Sequence, residues 1–224
     1  MMYLVLTALL ALNVSKEILD SFVTVNNGLE NTKLSLNDKM ANQYKSFEDY
    51  AKENQAKYGA AWNEAKKIKA AGAELIAYID TIKAKSIVAA EGLPYDSVVL
   101  GDGRIMDLMK VSKKDSHDEL TNMLVGGEPG KPIEGPLTAT ELHAKLEAFK
   151  VLVKNSRKED KDLAAAMDRI FDFSDRLDAS GTNNNWESIN FYHVPMAAGI
   201  TILSKIQSDV RNAEGEVVKR MMDA

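Results

Sequence analysis

The sequence predicts an all-α protein in which a single transmembrane helix runs on into an antiparallel helical bundle. Three observations carry this expectation. From Met1 to Leu12 only Thr7 is clearly polar, no proline occurs before Pro94, and strand-like alternation of β-branched and polar residues is nearly absent. Apolar residues recur instead at steps of three and four, the period of a helix face.

Met1 to Val14 is too short to span a bilayer core of about 30 Å, which takes about 20 mostly apolar residues. A cleaved signal peptide should open on basic residues and close on small ones, and neither Met1-Met2 nor Ala11-Leu12-Asn13 fits. A buried soluble helix is the remaining alternative. The spacing favours an uncleaved anchor whose cytoplasmic end lies before Met1, because Ile18, Phe22, Val25 and Leu29 carry the apolar seam past the membrane edge. Residues 1–19 are thus expected to form the transmembrane helix and residues 20–224 the bundle. Lys16 can stretch its head group to the interface, and Asn26-Asn27-Gly28 is the weak point of the junction, since a glycine within a helix costs about 1 kcal/mol relative to alanine.

An unbroken helix to Ala90 would reach about 135 Å, so the chain must fold back. Asn54 to Gly59 is the predicted turn, with Gly59 as a left-handed cap. The two arms, Phe22 to Glu53 and Ala60 to Glu91, match in length as an antiparallel hairpin requires. Ala61, Ala65, Ile68, Leu75, Ile79 and Ile82 form the apolar face of the second arm, which ends at Glu91-Gly92-Leu93-Pro94. Short helices are expected near Ile105 to Val111 and Asp118 to Leu124, and the Gly126 to Pro136 stretch, with three of the five prolines, is a loop. Thr138 and Glu141 have the form of a capping box opening a helix with the stripe Leu142, Leu146, Phe149 and Val153. A turn at Arg157 to Lys161 leads to a helix from Asp162 to Leu177. Pro195 then opens the last helix, whose seam is Ile200, Leu203, Ile206, Val210, Ala213 and Val217. Four or five helices of this kind make a bundle.

Composition and motifs exclude several functions. A net charge of −5, with acids and bases interspersed, offers no basic stripe to nucleic acid. The absence of cysteine removes disulfides, thiolate metal sites and cysteine nucleophiles. His117, His143 and His193 lack a repeated metal-ligand spacing, and the acids around Asp102 and Asp115 do not follow a calcium-loop pattern. No phosphate loop or nucleophile elbow occurs, so neither enzyme nor cofactor is expected. Trp186, Phe191 and Tyr192 read as packing at the start of the last helix, with a ligand pocket as the lesser alternative. Tyr3, with Thr7, is a polar group at membrane depth and is expected to lie against protein.

Two stretches resemble the GldM family, also called PorM. One is Met2 through Leu19. The other comprises Trp186-Glu187, Asn190-Phe191, His193-Val194-Pro195 and Leu203 through Glu214, and Lys57-Tyr58-Gly59 is also similar to the family. The resemblance implies a transmembrane helix of the bacterial inner membrane continuing into a periplasmic antiparallel helical bundle, with a basic cytoplasmic segment before it and β-rich domains after it. It also implies a proton-driven motor for gliding and type IX secretion. In that motor a GldM homodimer would sit inside a GldL ring, commonly a pentamer, and reach an outer-membrane secretion ring through its later domains. The apolar stretch holds no acid, so proton binding would belong to GldL and GldM would be the shaft. Tyr3, Thr7 and Leu10 would contact the ring or the second copy, and Ile18, Phe22, Val25 and Gly28 would couple membrane to bundle. The competing expectation is a membrane-anchored periplasmic sensor or ligand-binding domain.

Overall fold

The computed structural model describes residues 14–177 and 183–223. Tyr3, Thr7, Leu10 and most of the expected transmembrane helix lie outside them. Among the described residues no helix is long and apolar enough to cross a membrane.

The first helix, α1, spans Lys16–Glu53, and its start departs from the expected continuous run. Ser15 is extended (φ −63°, ψ 152°), and its hydroxyl accepts from the Ile18 amide. This is an N-cap, which satisfies a donor that has no partner in the first turn. The bundle helix therefore begins at a cap instead of carrying straight on from the apolar segment. It then runs through Gly28 for 38 residues, about 57 Å.

The fold-back is tighter than expected. Asn54 alone separates α1 from α2, Gln55–Glu91. Its N–H donates to Tyr50 O at 3.0 Å, while its side chain accepts from the Lys57 amide at 3.0 Å, so one residue caps both helices. Gly59 is no left-handed cap; it is buried within α2 beneath the Gln55 side chain. The arms close as an antiparallel pair: Phe47 meets Trp62 edge-on at 5.5 Å, and Tyr44 Oη donates to Ala65 O at 3.3 Å. Gly92, at φ 67°, ends α2 as expected.

Between Pro94 and Leu137 the chain forms α3 (Tyr95–Val98), a bridge between Val99 and Ile105, a 3-10 turn at Leu108–Lys110, and α4 (Asp118–Leu124). Helix α5, Ala139–Ser156, is capped by Thr138, whose hydroxyl accepts from the Glu141 amide at 3.2 Å. The return half of the box differs from expectation. The Glu141 carboxylate takes the Leu137 amide at 2.8 Å and the Tyr78 hydroxyl at 2.6 Å, tying α5 to α2.

Helix α6 covers Lys161–Ile170 and stops well before Leu177. Asp172 accepts from both the amide and the hydroxyl of Ser174, a local alternative to helical hydrogen bonding. Arg176–Leu177 (β1) then pairs antiparallel with Asn183–Asn184 (β2), a small exception to the all-α expectation.

After α7, Trp186–Phe191, the longest buried stripe belongs to α8, Met196–Met222, capped by Pro195. All six predicted seam residues from Ile200 to Val217 are buried. Helix α8 runs parallel to α1, because Thr201, Arg211 and Gly215 meet Phe22, Asn37 and Gln43 in ascending order. The bundle is thus not wholly antiparallel, and the long excursion through α2 to α7 supplies the crossover.

Gly199 lies where α8 crosses α4, and a Cβ there would come within 2.6 Å of a methyl of the fully buried Leu120. Gly199→Ala should lower stability by about 1–3 kcal/mol through overpacking. Urea unfolding checks this, and an unchanged midpoint would mean that the crossing is looser than described.

Candidate functional site

The seam between α1 and α8 is joined by a polar contact at nearly every turn. Thr201 Oγ1 donates to Phe22 O at 3.2 Å, and Ser204 Oγ lies 2.7 Å from Asn26 Oδ1 and 3.0 Å from Glu30 Oε1. Gln207 Oε1 accepts from Lys33 at 3.4 Å, and Arg211 Nε donates to Asn37 Oδ1 at 2.9 Å. Gln43 Nε2 closes the series on Gly215 O at 3.1 Å. The α8 members recur at steps of three and four, which puts them on one helix face.

At its centre the seam takes in α2. Lys83 is 2% exposed, and its Nζ sits 2.6 Å from Glu30 Oε1 and 3.1 Å from Gln207 Oε1. Gln207 Nε2 donates to Ile76 O at 3.0 Å and to Asp80 Oδ1 at 2.8 Å. Lys33 completes the cluster with Glu30 at 2.7 Å and Asp80 at 3.6 Å. Two cations and two carboxylates from two helices are thus bridged by an amide from the third. Burial pushes the Glu30 carboxyl up, but Lys83 and Lys33 outweigh it and hold the group down at about 2. Burial pulls Lys83 below the ordinary lysine value, against the opposing pull of Glu30.

Further along, Glu214 is fully buried beside Gly72 and bonds Arg211 Nη1 at 2.6 Å. Burial, followed by the Glu214 carboxylate, pushes the Tyr44 phenol up.

The expected coupling residues sit differently from the sequence reading. Phe22 is half-buried against the core and lends its carbonyl to Thr201. Ile18 and Val25 are 50% and 54% exposed, so the apolar seam through them is a shoulder of α1. The face that meets α8 lies next to it, through Val23 and Asn26 to Glu30 and Lys33. Gly28 is exposed, a Cβ added there would meet nothing within 4 Å, and the helix passes through it unbroken. Sequence reasoning missed Asn26, Glu30, Lys33, Lys83, Ser204 and Gln207. Their signal was present as polar residues at helical steps, 26, 30, 33 and 37 facing 204, 207 and 211.

The histidines do not converge: His143 Nδ1 meets Glu187 at 2.7 Å, while His117 Nδ1 meets the His193 carbonyl at 2.9 Å. Among the described residues no three histidine or carboxylate groups gather as a metal site.

The family model for the GldM N-terminal domain matches residues 17–224. The chain belongs to the GldM family. The match takes in nearly all of α1 and every later element, so the bundle described above is the GldM N-terminal domain, and the resemblance read from the two ends of the sequence is borne out. No curated protein matches the chain. GldM is a membrane-associated, structural component of the gliding and type IX secretion machinery and not a known enzyme family.

Two outcomes follow for this GldM domain. Lys83→Met keeps the stem and deletes the ammonium, leaving Lys33 as the one cation at Glu30 among the described residues, and should cost about 2 kcal/mol in urea unfolding; no loss would mean the buried pair does not hold the seam. Because Glu30 is lowered from 4.5 to about 2, its contribution is fully present above pH 4.5 and is lost as the pH falls through about 2. Glu30→Gln should therefore flatten the acid side of the stability profile, as followed by circular dichroism. An unchanged profile would remove Glu30 from that role.

Proposed function

We propose that this domain is the membrane-proximal periplasmic part of a GldM shaft, receiving motion at the start of α1 and passing it along α8. The supporting observation is the parallel α1–α8 seam, closed by polar contacts from Thr201 to Gly215. Parallel helices put the starts of α1 and α8 at one end and the α8 C-terminus at the other. A displacement entering at Lys16 therefore leaves at Met222 without passing through the hairpin tip.

In this proposal the apolar segment before Ser15 belongs to a single-pass inner-membrane helix, separate from α1, which starts at Lys16, and it is paired with a second copy inside a GldL-like ring, commonly pentameric. Tyr3, Thr7 and Leu10 face the ring or the second helix. The proton motive force acts through carboxylates of the ring, since no acid lies within Met1 to Ser15. Ile18 and Val25, seven residues apart on one exposed face, provide an apolar strip on which the second copy can pack. The outer-membrane secretion ring would be reached through later domains.

A membrane-anchored sensor domain is the second reading, favoured by an aromatic-lined cavity beside Trp186. A second membrane span and cytoplasmic signalling helices in the full-length protein would decide for it.

Three glycines inserted between Ser15 and Lys16 should leave the protein folded and membrane-bound but abolish secretion and gliding. Normal secretion by that variant would refute a rigid shaft. Tyr3→Ala should reduce gliding and secretion while the domain's circular dichroism stays unchanged; full activity would remove Tyr3 from the interface.

A further inference from the structure

We draw no further inference here: the strongest candidate, the exposed surface patch of Met109, Lys110 and Lys113 on the segment that joins the 3-10 turn to α4, carries nothing because nothing in the structure shows what covers it.

Discussion

The ammonium of Lys83 sits almost wholly out of water, and that single burial constrains the rest of the domain. An isolated buried charge costs several kcal/mol, which is recovered only when partners arrive with good geometry. Lys83 belongs to α2, its carboxylate partner Glu30 to α1, and its amide partner Gln207 to α8. Each of the three helices must therefore be in axial register with the other two. Sliding one by a turn, about 5.4 Å, would leave charges unpaired in a low-dielectric interior. Apolar packing alone tolerates such shifts better, since one leucine can replace another at the next turn.

Fixed register is also what a shaft needs. The polar contacts that flank Lys83, from Phe22 and Thr201 to Gln43 and Gly215, extend the same constraint along much of α1. The Ser15 cap gives α1 a defined beginning next to the apolar segment. The exposed Ile18 and Val25 lie outside the seam, so the face of α1 available to another chain differs from the face that joins it to α8. One side of α1 is thus left open to solvent while another holds the bundle together.

The sequence discloses this fold wherever burial is apolar. Leu142, Leu146, Phe149 and Val153, and the six seam residues of α8, are all buried as their spacing foretells. The hidden part is polar. Asn26, Glu30 and Lys33 follow helical steps as faithfully as any leucine stripe, but hydrophobic periodicity assigns such residues to solvent, and the adjacent Ile18–Val25 shoulder is taken for the seam instead. Local hydrogen bonding accounts for the other departures. Asn54 caps two helices at once and makes Gly59 unnecessary as a turn residue, while Asp172 captures Ser174 and ends α6 early. The parallel course of α1 and α8 is set by contacts between residues more than 170 positions apart, which no local pattern reveals.

The central claim is that α1 and α8 move as one body, and native-state hydrogen exchange measures this most directly. In the intact chain, amides of α1 from Phe22 to Gln43 and of α8 from Thr201 to Gly215 should exchange with the same opening free energy and respond together to denaturant. Exchange of α1 at markedly lower free energy, while α8 stays protected, would contradict the account.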